Sequence, residues 1–413
     1  MRAAQGRHAL RPSLLRGVYL PRAADGAAFA MTTYGIPLLV VATTRSVTLA
    51  GLAFALEWLP RLAAFPVAGS LVHRHGIARV FRIACAVRAL AVLTAVLLLS
   101  VPDTGVLAVV TVMALAPVAG FLTECSYIAA ETAGAAASRW AGARAHRVQS
   151  VLLGIDQSAM LAGPLVCGLL LESGGPVAML TVLSAFSLTA AVLVPRPPAA
   201  ARQPAKANDK ARGGVREGWR TLCSLPALAW LVGGLVVSNL SVALLQAAMP
   251  VIVVTELGRS SADAGLVWSA AALTSLLAIT LARRAIDRWG LWPVGATAAT
   301  IATAATLAVS QTSTYHGYLA LIAVLMAGEG GLTVVLRTLR SHLIPADAFA
   351  GTLSLTILLL LIPFPLAGLL VAALPAGRLG HAITACAVLQ ALGLAAAFAR
   401  LRTAPALRPA PAV

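Results

Sequence analysis

Residues 69–79 read Gly69-Ser70-Leu71-Val72-His73-Arg74-His75-Gly76-Ile77-Ala78-Arg79, a short basic stretch between two long apolar segments. It is too short to be a domain, and its glycines and bases mark it as a turn. Some two hundred residues later the chain repeats the arrangement as Arg283-Arg284-Ala285-Ile286-Asp287-Arg288-Trp289-Gly290, again between apolar segments. A tight basic turn at matching places in two halves points to a duplicated membrane protein.

Composition agrees. Of 413 residues, 59% are hydrophobic and 11% charged, and mean hydropathy is +0.88. A soluble domain carries about 25% charged residues, so most of this surface must face lipid. A net charge of +17 would point a soluble chain towards nucleic acid. Here the bases lie in short segments between apolar runs, the distribution of cytosolic membrane-protein loops, and no nucleic-acid partner is expected. The five cysteines, Cys85, Cys125, Cys167, Cys223 and Cys386, form no CxxC or Cys/His cluster. They read as small apolar filler, with no disulfide and no metal site. No HExxH, P-loop or Gly-x-Ser-x-Gly is present, so neither a cofactor nor an enzymatic activity is expected. The apolar run after the basic N-terminus is broken by Arg22 and Asp25 and no small-x-small cleavage site follows, which predicts a retained cytosolic arm.

A membrane helix needs about 20 largely apolar residues. That ruler predicts twelve spans, at roughly 17–42, 47–72, 79–101, 104–132, 148–171, 175–195, 225–254, 262–282, 291–311, 316–336, 348–374 and 379–400. The inner end of the fourth is open, since Ala133 to Ser138 reads as helix or loop. Between the sets lies a stretch with Arg196, Arg202, Lys206, Lys210, Arg212 and several prolines, which can neither span a bilayer nor build a core. The expected layout is a first bundle over 1–195, a basic cytosolic linker over 196–220 and a second bundle with a short tail over 221–413. The segment Val215 to Cys223 reads as an amphipathic helix on the inner leaflet. With the N-terminus inside, nearly all loop arginines fall on one side and only Arg45, Arg259 and Arg378 on the other. Both termini are therefore expected in the cytosol, in a bacterial cytoplasmic membrane.

The repeated turn resembles the loop between the second and third helices of the major facilitator superfamily, Gly-x-x-x-Asp-Arg-x-Gly-x-x-Arg/Lys. Gly69, Arg74, Gly76 and Arg79 match it, with His73 in place of the acid. In the second copy Asp287, Arg288 and Gly290 match, with Arg283 in place of the first glycine. Gly163-Pro164-Leu165-Val166-Cys167-Gly168 in the fifth span is similar to the Gly-Pro-x-x-Gly-Gly element of facilitator-type antiporters, and Pro363-Phe364-Pro365-Leu366-Ala367-Gly368 occupies the matching place in the eleventh. Within the superfamily the chain looks most like bacterial enterobactin exporters and macrolide-efflux carriers. The resemblance implies an all-α fold of two pseudo-symmetric six-helix bundles, with the first, fourth, seventh and tenth helices lining a central cavity. It also implies a mechanical role for the turn, in which the family acid replaced by His73 helps lock the cytosolic side. A tight turn between rocking helices leaves no room for a side chain at Gly76, and glycine also permits φ > 0 there.

A charge near mid-membrane costs about 2.5–3.5 kcal/mol on insertion scales, so each one needs a reason. The acids within spans are Asp25, Glu57, Glu124, Asp156 and Glu329, with Glu131 at an inner edge; the bases are Arg22, Arg61 and Arg88. Arg22 and Asp25, and Glu57 and Arg61, are spaced to share a helix face and read as buried ion pairs. Five acids against three bases leave at least two acids without a basic partner. An acid so placed in low dielectric favours its neutral form, the property a proton carrier needs. Asp25, Glu124 and Asp156 are the expected coupling acids. Glu329, with Asn239 and Gln246 on one face of the seventh span, is expected in the substrate cavity that the resemblance implies.

The expected activity is proton-coupled export of a small organic molecule, a drug or a siderophore, by a monomer working through alternating access. The alternatives are an importer of a nutrient or metal–siderophore complex, a lipid-moving carrier of the same fold, and a membrane-embedded sensor or enzyme.

Overall fold

A computed structural model of the chain describes residues 14–101, 105–141, 145–194, 215–345 and 348–403. The N-terminal arm before residue 14, the linker bases Arg196 to Arg212 and the tail beyond Thr403 lie outside the described residues. All described regular structure is helical. In chain order the helices are α1 Leu20–Thr44, α2 Val47–His75, α3 Ile77–Leu99, α4 Gly105–Ala141, α5 Ala145–Leu193, α6 Val215–Ser224, α7 Pro226–Val251, α8 Ser261–Trp289, α9 Leu291–Val309, α10 Tyr315–Leu343, α11 Phe349–Leu361, α12 Pro363–Ala373 and α13 Leu379–Thr403. Eleven helical runs among the described residues are long and apolar enough to cross a membrane. One of them, Arg147–Leu193, has 47 residues, about 70 Å at 1.5 Å per residue. It bends at Gly175, where φ is 67° and ψ is −169°, and Pro176 follows. It therefore crosses twice, and the expected count of twelve holds.

One boundary left open is settled and one differs from expectation. α4 runs through Ala133–Ser138 to Ala141, so the doubtful stretch is helix. The eleventh span is split into α11 and α12 at Pro363, which has no N–H for the ladder and whose ring crowds the preceding turn.

The two faces end their helices differently. On the face opposite the basic turns, hydroxyl caps start the helices: the Ser46 Oγ accepts from the Leu49 N–H, Ser260 and Asp263 form a capping box, and the Thr314 Oγ1 accepts from the Gly317 N–H. On the basic face a single glycine ends one helix and begins the next, Gly76 between α2 and α3 and Gly290 between α8 and α9.

Within the first half α1 packs on α5, and α2 and α3 pack on α4; within the second α10 packs on α8 and α9, and α13 on α7 and α9. The halves meet along two seams, α5 against α8 and α2 against α12. Glycine sits on both sides of each. A methyl on Gly168 would stand 2.2 Å from the Ser261 carbonyl oxygen, and one on Gly265 2.2 Å from that of Pro164. In the other seam a methyl on Gly51 would stand 2.4 Å from the Ala372 nitrogen, and one on Gly368 2.5 Å from the Ala55 nitrogen. Backbones this close admit no side chain, the usual device of membrane helices that must meet tightly. All four glycines lie near the ends of their helices away from the basic turns, so that face is sealed. On the basic face α11 packs instead on α6 and α7.

Candidate coupling and substrate site

The charged residues of the first half gather around three guanidinium groups on α1, α2 and α3. Arg22 does not pair with Asp25, three residues away. Its Nε and Nη2 donate to the Asp156 carboxylate on α5 at 2.7 and 2.6 Å, Nη2 also meets Glu131 on α4, and the Tyr127 ring lies 5.1 Å from the guanidinium carbon. Asp25 points to α3, where Arg88 Nη2 donates to it at 2.7 Å. Arg88 is fully engaged: Nε donates to Ser187 at 2.9 Å and Nη1 to Thr123 and Ser126 at 3.2 Å each. The spacing expectation thus gave two buried charges correctly and their partners wrongly. A side chain at the interior of a bundle reaches across to neighbouring helices more easily than along its own.

Glu57 and Arg61 do pair, at 2.5 Å, and both are buried. Arg61 Nη2 also donates to the Thr33 Oγ1 at 2.9 Å, and the guanidinium carbon sits 4.5 Å from the Trp58 ring centre and 5.2 Å from that of Phe29. This pair is incompletely satisfied. The Arg61 Nε and Nη1 and the Glu57 Oε2 are buried without a hydrogen-bond partner. α4 presses against this turn of α2, since a methyl on Gly120 would stand 2.1 Å from the Glu57 carbonyl oxygen. One helical turn on from Gly120 is Glu124, 5% exposed and within the field of Arg61. It makes no ion pair and no side-chain hydrogen bond to a described residue. Of the three acids expected to couple protons, Asp25 and Asp156 are matched by arginines and Glu124 is not.

In the second half Glu329 on α10 is buried and has no base beside it. Ser238 on α7 donates to its Oε1, and Gln390 Nε2 on α13 reaches the same oxygen at 3.4 Å and the Ser238 Oγ at 2.8 Å. The Gln390 Oε1 is buried without a partner. Asn239 turns away, donating to the Leu360 carbonyl at 2.8 Å. Gln246 is buried and makes no side-chain hydrogen bond to a described residue. Around Glu329 the structure therefore gathers Ser238 and Gln390 and brings neither Asn239 nor Gln246 to its carboxyl. The sequence carried a signal for Gln390, a lone amide in the apolar stretch of the last span, but none for which helices converge there.

The two basic turns share one backbone conformation: φ 82° and ψ 150° at Gly76, φ 87° and ψ 168° at Gly290. This region is essentially restricted to glycine. The expectation of no room at Gly76 is not met, because a methyl there or on Gly69 would find nothing within 4 Å; the backbone angle alone requires the glycine. His73, Arg74, Arg79 and Asp287 are exposed and make no ion pair with a described residue, and Arg288 lies over the Trp289 ring at 5.7 Å.

The element Gly163-Pro164…Gly168 lies where three helices meet. A methyl on Gly163 would stand 2.5 Å from the Ala30 Cβ on α1, while Pro164 and Gly168 face α8. The Leu165 N–H donates to the Ser269 Oγ at 3.2 Å, also across the seam. Trp58 of α2 stacks on Phe364 of α12, ring centres 4.1 Å apart, and Tyr34 of α1 meets Trp268 of α8 at 5.6 Å. Among the described residues no three His, Cys, Asp or Glu side chains gather as a metal site would require.

The sequence model of the Major Facilitator Superfamily matches residues 22–363. No curated protein matches the chain significantly. Among solved structures, a bacterial homologue of the iron transporter ferroportin in its inward-facing state is 16% identical with a TM-score of 0.71, over 94% of this chain and 98% of that one. A bacterial homologue of the human lysosomal transporter Spinster, inward-facing and unoccupied, is 14% identical with a TM-score of 0.67, over 97% and 98%. The nucleoside transporter NupG is 11% identical with a TM-score of 0.68, over 92% and 99%. At such identities the likeness establishes the fold and says nothing of the cargo.

Proposed function

Because the chain belongs to the major facilitator superfamily, and so is a transporter, we propose that it exports a small organic molecule, a drug or siderophore, in exchange for protons. The basic face is assigned to the cytosol of a bacterial cell by its arginines, which makes the sealed face external and the conformation open to the cytosol. The observation that carries the coupling is Glu124. Among the described first-half acids, Asp25, Glu57, Glu131 and Asp156 are each held by an arginine and Glu172 accepts from the Ala262 N–H, whereas Glu124 is free to lose and regain a proton without breaking an ion pair. Asp25 and Asp156 then serve as fixed counter-charges for Arg88 and Arg22. Glu329, Ser238 and Gln390 supply a polar centre for substrate in the other half, so that proton and substrate occupy different bundles and communicate by the rocking of one against the other.

The test is transport in reconstituted vesicles with an imposed pH gradient and a panel of dyes and chelators, in both orientations so that export and import are told apart. Glu124→Gln keeps the shape and removes the titration. It should abolish uphill transport while leaving downhill exchange. Uphill pumping by Glu124→Gln at the wild-type rate removes the proposal.

A further inference from the structure

We infer that Arg61 transmits the charge of Glu124 to the α2–α12 seam by exchanging partners, with Trp58 as the contact through which the seam responds; this rests on Glu124 being the coupling acid. Three observations converge on one turn of α2. First, Arg61 has two buried N–H bearing atoms, Nε and Nη1, with no acceptor. The nearby carboxyl without a donor is Glu124, one turn beyond the point where α4 touches the Glu57 carbonyl. Second, the Arg61 guanidinium lies 4.5 Å from the Trp58 ring centre. Third, that same indole is stacked at 4.1 Å on Phe364 across the seam, with Phe54 6.5 Å from the same phenyl. Trp58 is thus shared between a cation of its own half and an aromatic ring of the other.

Of the buried charged and titratable side chains around Glu124, Cys125 lies beside it on α4 and Tyr34 within the field of Arg61, and the others are committed elsewhere. Asp25 and Cys85 are with Arg88, Glu131 and Asp156 are with Arg22, Tyr127 lies against Arg22, and Tyr34 stands against Trp268. Glu57, the other acid on Arg61, is fixed by the pair at 2.5 Å and has one buried oxygen to spare.

While Glu124 keeps its proton it makes no demand on Arg61, and the guanidinium remains against Trp58 with the external face sealed. When the proton leaves to water at the cytosolic face, a second carboxylate competes for the same cation. The unused N–H groups of Arg61 turn to it, and the guanidinium leaves the indole. A cation over an indole contributes about 2 kcal/mol or more when desolvated, and its departure lets Trp58 release Phe364. The sealed face then opens in the deprotonated state, the order that exchange of an outgoing substrate for an incoming proton requires.

The test needs no substrate. In the full chain with Cys223, the exposed cysteine among the described five, changed to serine, spin labels are placed at Thr48 and Ala373. These are exposed positions at the external ends of α2 and α12. Distances are read in lipid nanodiscs by electron–electron double resonance from acid to alkaline pH. The wild type should show a short distance at acid pH and a growing longer population as pH rises. Glu124→Gln should stay short throughout. Trp58→Leu, and independently Phe364→Leu from the other half, should show the longer population already at acid pH, with the pH response lost. Arg61→Lys keeps the charge but not the planar group, and should flatten the response. If Glu124→Gln abolishes the response while the Arg61, Trp58 and Phe364 variants titrate like the wild type, Glu124 couples by another route and this inference fails alone. If the wild type does not respond to pH, or Glu124→Gln still does, the coupling role of Glu124 falls with it.

Discussion

Arg88 shows what a buried charge needs in this protein. Its guanidinium has an acid and three hydroxyls as partners, drawn from α1, α4 and α5. Removing one member of such a pair strands the other, at about 3–5 kcal/mol, whereas removing both together is far milder. Arg88→Met should therefore lower the thermal unfolding midpoint more than the Asp25→Asn/Arg88→Met double variant, measured by fluorescence-detected size exclusion in detergent. A double variant no better than the single would mean that Asp25 is not the partner that matters. The two glycines of the first basic turn differ in the same way. Gly76 occupies a backbone region costing other residues about 1–3 kcal/mol, while Gly69 is helical with open space around it. Gly76→Ala should lower stability and slow transport, and Gly69→Ala should do neither. These assignments mark the limit of sequence spacing. The Glu57–Arg61 pair was legible because both ends lie on one helix. The partners of Arg22, Asp25 and Glu329 were not, because they are chosen by which helices pack together, and hydropathy says nothing of that.

At the scale of the element, hydropathy was sufficient for twelve spans, because twenty apolar residues in a row have few other uses. It left open the continuation of α4 to Ala141 and missed the break at Pro363, where the outcome depends on what solvates the ends of a helix. Of the four seam glycines only Gly168 and Gly368 were visible, as small residues near prolines; Gly51 and Gly265 were not, and the function of all four shows only in the pairing of α5 with α8 and α2 with α12. A bulky residue there should wedge the external face. Gly368→Leu is expected to make a cysteine at Thr48 react with a membrane-impermeant maleimide in intact cells more readily than in the parent chain, with insertion unchanged. Unaltered labelling would show that this seam does not gate the face.

For the whole molecule, the one-sided distribution of arginine predicts that reporter fusions in the linker near Lys206 and after Arg402 read cytosolic, and that fusions near Thr314 read external. An external tail would overturn the twelve-span topology. The proposed division of labour between halves makes a second prediction. Glu329→Gln should change which substrates are carried, cationic ones most, while a pH gradient still drives those that remain; loss of all proton-driven transport would place coupling in the second half as well.

The seams have one more consequence. Apart from the Trp58–Phe364 stack and the Ser269 hydroxyl, they are closed by main chain against main chain, so few side chains must be ordered when they form. Fixing a long side chain costs up to about 2 kcal/mol in lost rotamers, and glycine has none to lose. Such a joint can part and meet again many times a second with little entropic toll in either direction. Beyond that stack, main chain this close attracts through short-range dispersion and weak Cα–H···O contacts, which vanish within an ångström or two of separation. The joint is consequently stiff until it yields and then offers no resistance, so the carrier should snap between two faces instead of drifting through half-open states that would let ions leak across the membrane.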